Sequence, residues 1–218
     1  MARKTKVESQ NTRNGILDAA ELVFLEKGVA QTAMADIADA AGISRGAVYG
    51  HYKNKIDVCL AMCDRAFARA AEGFELVEDG PVLETLRQAA LHYLRQCVES
   101  GSVQRVLEIL YMKCEQSEEN APLLRRRTLY DKQTLRITTA LLRRAVASGE
   151  LPATLDLHLA SVYFQSLLEG IFGSMVWTDR LHGARWEDVD ALLLAGIDTL
   201  HYSTRLSRQS PPDQHTGK

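Results

Sequence analysis

Apolar residues recur along this chain at three- and four-residue spacing, and two-residue alternation is almost absent, so the pattern predicts helices and no strand. Ile16, Ala20, Val23 and Phe24 form one stripe that Gly28 stops, with Thr12 as its expected N-cap. Thr32 is the expected cap of a short second helix that carries Asp36, Ile37, Ala38 and Ala41 and ends at Gly42. Ser44 caps a third, whose inward positions are Val48 and Tyr52. A fourth starts near Lys55 and is expected to reach about Glu78. Leu86, Ala90, Tyr93, Leu94 and Cys97 mark a fifth, and Val106, Ile109 and Leu110 a sixth. Leu123 to Ala147 reads as a long charged amphipathic helix, closed by a turn holding Gly149 and Pro152. Two more follow at about 156–178 and 186–206. The expected fold is all-α, with about nine helices.

The last two helices differ from the others. The eighth is apolar nearly all round, and small residues recur on it at Ser166, Gly170, Gly173 and Ser174. A helix without a polar face is buried on more than one side, and small residues let a second helix come close. In the ninth, Val189, Leu192, Leu193, Gly196, Ile197 and Leu200 form a near-heptad seam. Burial within one protomer satisfies this pattern. A homodimer built from these two helices, doubled into a four-helix bundle, satisfies it as well and is the expectation, with Ser166, Gly170, Gly173, Ser174, Leu193, Ile197 and Leu200 at the interface.

Composition narrows the class. In 218 residues, 46% hydrophobic and 25% charged, there is ample material for a packed core. The most apolar stretch is interrupted by Asp156, His158, Gln165 and Glu169, and no membrane association is expected. The N-terminus is basic and lacks the apolar segment of a signal peptide, which points to the cytoplasm. Cys59 and Cys63 share a helix face, but no further Cys or His lies nearby in sequence to complete a zinc site. They read as core, and no metal or cofactor is expected. A carboxylate-bridged helical oxidase would need Glu-x-x-His pairs; the nearest approach is a single Asp198-x-x-His201. An enzyme is therefore not expected.

Net charge is -2, too small to coat nucleic acid indiscriminately, but its placement is informative. Arg3, Lys4 and Lys6 cluster in an N-terminal arm over residues 1–11, and Arg45, Lys53 and Lys55 cluster around the third helix. Between the second and third helices, Ala38 leaves room for a crossing helix, Gly42 can take a left-handed turn, and Val48 plugs the space between them. That spacing is the steric requirement of a helix-turn-helix. Arg45, Tyr49 and His51 point away from the Val48 and Tyr52 side, and such groups suit phosphates and base edges. The third helix also carries Gly46 and Gly50, although each glycine costs a helix about 1 kcal/mol relative to alanine.

Residues 12–58, with "ILDAAELVFLEKG" followed by "TAMADIADAAGISRGAVYGHYKNKIDV", resemble the DNA-binding domain of the TetR family of bacterial transcriptional regulators. Residues 59–206 resemble the family in helix count and in the "AVASGELP" turn, with a flavour similar to the AcrR-like branch, which represses multidrug efflux pumps. The resemblance implies an N-terminal three-helix DNA-binding domain, a larger helical ligand-binding and dimerisation domain, and a tail over 207–218 with the composition of disorder. It implies that Thr32, Tyr49, His51 and Lys55 hold phosphates while Ser44, Arg45, Gly46 and Ala47 face the groove, with Tyr52 beside them. Gly50 departs from the family, whose members often carry a larger residue there. The implied partners are a double-stranded palindromic operator, a second copy of the chain and a small hydrophobic effector. A metabolite or acyl-CoA ligand is the alternative. Phe67, Met112 and Phe172 are the candidate apolar lining of the effector pocket, and His92 its candidate polar anchor.

Overall fold

A computed structural model describes residues 6–72, 80–99, 101–178 and 180–208. Arg3 and Lys4 of the expected arm, and the tail from residue 209, lie outside them. The described residues form nine helices in the order α1 Lys6–Lys27, α2 Met34–Ala40, α3 Arg45–Tyr49, α4 Lys55–Ala71, α5 Val82–Glu99, α6 Gly101–Met112, α7 Ala121–Ala147, α8 Leu157–Val176 and α9 Trp186–Tyr202. A 3-10 turn follows at Thr204–Leu206, and an isolated bridge joins Leu155 to Ser207. The fold is all-α, as the periodicity predicts.

Three boundaries differ from expectation. α1 begins at Lys6, and Thr12 lies inside it, its hydroxyl donating to the Glu8 carbonyl 2.9 Å away one turn back. α2 is capped by Asp36, which reaches back to the Ala33 N–H at 2.8 Å, while Thr32 donates to the Gly28 carbonyl at 2.7 Å. α4 stops at Ala71, where Glu72 turns extended (φ -71°, ψ 143°); the expected continuation falls on residues outside those described.

The chain divides into two compact units. The first joins residues 1–73 to 95–131, so α1–α4, α6 and the start of α7 share one core. Ile16, Phe24, Ile37, Met62, Ile109 and Leu110 are fully buried there, each contributing about 1.5–3 kcal/mol by leaving water. At the centre of this unit lies a carboxylate. Glu21 of α1 has no exposed surface, and accepts hydrogen bonds from Arg65 of α4 (2.6 Å) and from Ser102 (2.7 Å) and Arg105 (2.8 Å) of α6. Arg65 also reaches Asp18 (2.8 Å) and the Asn14 carbonyl (3.2 Å). Glu21 falls on the same stripe as Leu17, Ala20 and Phe24, so a buried acid was marked by its position.

The second unit joins residues 74–94 to 132–218. Here α8 packs on α9, with Phe164, Leu168, Ile171 and Phe172 facing inward. Leu193 and Leu200 have no exposed surface and Ile197 is 8% exposed, so these three residues build the protomer's own core. That corrects their expected place in a dimer interface: a side chain already covered by its own chain presents nothing to a second copy. The glycine that admits the neighbouring helix is Gly196, where a Cβ would run into the Leu167 side chain. Ser166 and Gly170 stay exposed on α8, Ser174 is half-buried, and Gly173 is half-buried against Trp177. Among the described residues α8 is the one helix long and apolar enough to cross a membrane (mean hydropathy 1.2), yet it carries His158, Gln165 and Glu169 and buries one side on α9.

Candidate nucleic-acid interface

The helix-turn-helix is closed by backbone hydrogen bonds that its sequence dictates. At the end of α2 the Ile43 N–H reaches the Ala38 carbonyl and the Gly42 N–H reaches Asp39, both at 3.1 Å. This double closure needs a left-handed residue, and Gly42 supplies it at φ +65°. Ser44 then starts α3 by accepting from the Ala47 N–H at 3.2 Å. Val48 and Ala38 are fully buried, which fixes the crossing of α2 and α3 and leaves the rest of α3 outside.

What stands outside is Ser44, Arg45, Gly46 and Tyr49, with Ala47 and His51 half-buried. Tyr49 is 56% exposed, a large amphipathic group with more than half its surface in solvent. At Gly46 a Cβ would meet only Ser44 Oγ, at 3.9 Å, so nothing inside the protein requires a glycine there. Gly50 is the C-cap of α3 with an ordinary φ of -69°, and a Cβ there would lie 3.3 Å from the Ala47 carbonyl. The two glycines thus answer to different constraints: Gly46 leaves outer space open, and Gly50 eases a crowded helix end.

Three expected contacts are placed differently. Thr32 is buried, and its hydroxyl is committed to Gly28. Tyr52 is buried too, and the Arg13 guanidinium lies 5.7 Å from its ring centroid. Burial pushes the Tyr52 phenol above its ordinary range, so it remains a neutral hydroxyl. Lys55 is 14% exposed at its side chain and already held, by the Ala30 carbonyl at 2.9 Å and Glu119 at 3.2 Å. The same loops meet again where the Val29 N–H donates to the Lys113 carbonyl at 3.1 Å.

The four expected effector-lining residues are divided between the two units. Phe67 is stacked on Tyr130 at 4.0 Å between centroids, with the Arg126 guanidinium 5.0 Å from its ring, so it is a covered core aromatic. Met112 ends α6 with 59% of its surface exposed. Phe172 sits edge-to-face with Trp177 at 4.9 Å, and His92 is half-buried on α5. Phe67 and Met112 belong to the first unit, His92 and Phe172 to the second. Among the described residues, no group of three or more His, Cys, Asp or Glu could hold a metal. A hydrogen bond with Cys63 and burial push the Cys59 thiol well up, and burial raises Cys114, which leaves both poor nucleophiles.

A two-helix reader with an open polar face, in an all-helical chain, defines a DNA-binding regulator. Likeness to known proteins narrows that class. Residues 16–62 match the bacterial regulatory proteins of the tetR family, and residues 81–180 match the C-terminal region of MAATS-type transcriptional repressors. The chain belongs to the TetR family of bacterial transcriptional regulators. It is similar to MexZ, described as a key repressor responsible for antibiotic resistance in Pseudomonas aeruginosa, with 60% identity, 92% of this chain and 100% of that chain covered, and a TM-score of 0.86. NalD, the secondary repressor of the MexAB-OprM multidrug efflux pump in Pseudomonas aeruginosa, is 29% identical over 91% of this chain and 100% of that chain, with a TM-score of 0.76. The transcriptional regulator TtgR of Pseudomonas putida is 34% identical over 95% of this chain and 100% of its own.

Proposed function

We propose that this chain is a ligand-released repressor of a multidrug efflux operon, binding a palindromic operator as a homodimer in the cytoplasm. The observation that carries this reading is likeness to an antibiotic-resistance repressor along nearly the whole chain, in both the reading and the C-terminal regions. The open face of α3 supports it. Arg45 is exposed and suited to a bidentate bond with a guanine edge, worth about 1–3 kcal/mol of discrimination. Tyr49, with its ring outward, is suited to a phosphate, and Gly46 lets backbone come close. The dimer uses the outer side of α8, where Ser166 and Gly170 are exposed beside Leu159 and Val162.

The test is a nuclease footprint on DNA upstream of the chain's own gene and of adjacent transporter genes, with and without hydrophobic drugs. A protected palindrome that drugs uncover is the expected result. Protection released by an acyl-CoA and by no drug would move the effector to the metabolite class. No protected segment at moderate salt would end the repressor reading for those genes.

A further inference from the structure

In the first unit, five basic side chains are already paired with carboxylates. Lys27 is paired with Asp36, Lys55 with Glu119, Arg65 and Arg105 with Glu21, and Arg126 with Asp64. Arg45, Lys53 and Arg13 have no carboxylate within ion-pair distance among the described residues. The first two flank the reading helix. Arg13 comes from α1, which neither the helix-turn-helix spacing nor the family resemblance singles out.

Arg13 lies on a cleft of about 450 Å³ whose walls include Gln10 and Asn14 of α1, His51 and Tyr52 after α3, and Asp57, Asp64 and Arg65 of α4. Of the charges facing it, Asp64 and Arg65 are paired, while the Arg13 guanidinium and the Asp57 carboxylate have no ion-pair partner among the described residues. Asp64 is bound by Arg126 at 2.7 Å, and Arg65 is consumed by Asp18 and Glu21. Asp57 turns one oxygen to the Lys53 N–H at 3.3 Å. Tyr52 supplies a buried flat platform for the Arg13 guanidinium, and its hydroxyl makes no hydrogen bond of normal geometry. The Arg13 guanidinium also acts on the Tyr52 hydroxyl, but it carries five N–H donors, and those turned away from the ring remain for an anion, with the His51 imidazole on the same rim.

We infer that Arg13, seated on Tyr52 beside His51, is a further ligand for an operator backbone phosphate, contributed by α1. The inference rests on the DNA-binding reading above. Binding there exchanges a phosphate counterion for the guanidinium, so it shows in salt dependence and carries no base preference. Tyr52 thereby contributes to DNA binding as the platform for Arg13, without meeting DNA itself.

The experiment is a titration of the full-length dimer onto a duplex from upstream of its own gene, by fluorescence anisotropy, between about 50 and 200 mM salt. Each phosphate contact contributes about -0.9 to the slope of log affinity against log salt, hence about -1.8 for the two protomers. Arg13→Gln should flatten the slope by that amount, which makes the affinity loss over this fourfold salt range roughly 12-fold smaller than for the native protein. Arg13→Lys, which keeps the charge, and Tyr52→Phe, which keeps the platform, should retain the native slope. A native slope in Arg13→Gln overturns the inference. A flattened slope in both Arg13 variants with a lowered melting temperature shows a structural role and overturns it too. Failure of the native protein to bind any duplex with a salt-dependent affinity would instead strike the DNA-binding reading itself.

Discussion

Arg45 and Lys55 are neighbours in sequence and opposites in circumstance. Arg45 stands free, while Lys55 is held by the Ala30 carbonyl and Glu119. Arg45→Ala should therefore relax sequence preference, shrinking the gap between operator and mismatched duplex by about 1–3 kcal/mol. Lys55→Ala removes a cation that Glu119 already neutralises, so it should leave both the sequence preference and the salt slope close to native. Competition titrations with operator and scrambled DNA separate the two, and equal effects from both variants would remove this division of labour. The sequence shows Lys55 as a basic residue at a helix start, the right kind of group for a phosphate. Glu119, far along the chain, is what it cannot show: the pairing exists only once the loop after α6 folds back on the head.

The elements were legible because their signals are local. Ser44, Gly42 and Val48 each do in three dimensions what their spacing demands, down to the left-handed Gly42. Caps were less legible where two candidates compete, as at Thr32 and Asp36, since the winner depends on which backbone group is left open. The N-terminus of α5 has a cap no local reading could find. Glu150, from the turn after α7, accepts the Val82 and Leu83 N–H groups, both at 2.9 Å. Burial would raise this carboxyl, but those two bonds and one from Ser148 outweigh it and hold it below its usual range. Glu84, in the first turn of α5, is drawn down to about 2 by hydrogen bonds from Arg87 and Gln88. A carboxyl whose folded pKa is depressed stabilises the fold above its unfolded pKa and loses that contribution as pH falls through the folded value. The melting temperature should thus fall between about pH 5 and pH 2, and Glu150→Gln should blunt the part of that fall that Glu150 supplies. An identical acid profile in the variant would show that the cap does not matter to stability. Glu84 is half exposed, and solvent screening keeps its share small.

At the scale of the whole molecule, the all-helical class and the reading head were written in the periodicity, while the interface and the effector pocket were not. An apolar seam such as Leu193, Ile197 and Leu200 looks the same whether its partner is the same chain or another copy; only the packing of α8 on α9 decides. Candidate lining residues suffer the same ambiguity, and Phe67 resolves into a stacked core aromatic. The dimer proposal now rests on the outer side of α8. Gly170 is exposed, and no atom lies within 4 Å of where its Cβ would stand. Gly170→Leu should therefore leave the protomer folded and produce monomers by sedimentation. A variant that remains dimeric would remove close helix contact at this point.

The buried Glu21 has a consequence for genetics. Its hydrogen-bond partners, Arg65, Ser102 and Arg105, belong neither to the open face of α3 nor to the candidate lining, yet α4 and α6 both converge on its two oxygens. Removing one member of a buried charge cluster costs about 3–5 kcal/mol, a large part of a domain's stability. Under the proposed function, a missense lesion at the Glu21 codon would mimic permanent exposure to the inducer. Such alleles would be recovered among spontaneous drug-resistant isolates, recessive to an intact copy, and far from the positions where an operator or ligand contact would lead one to look.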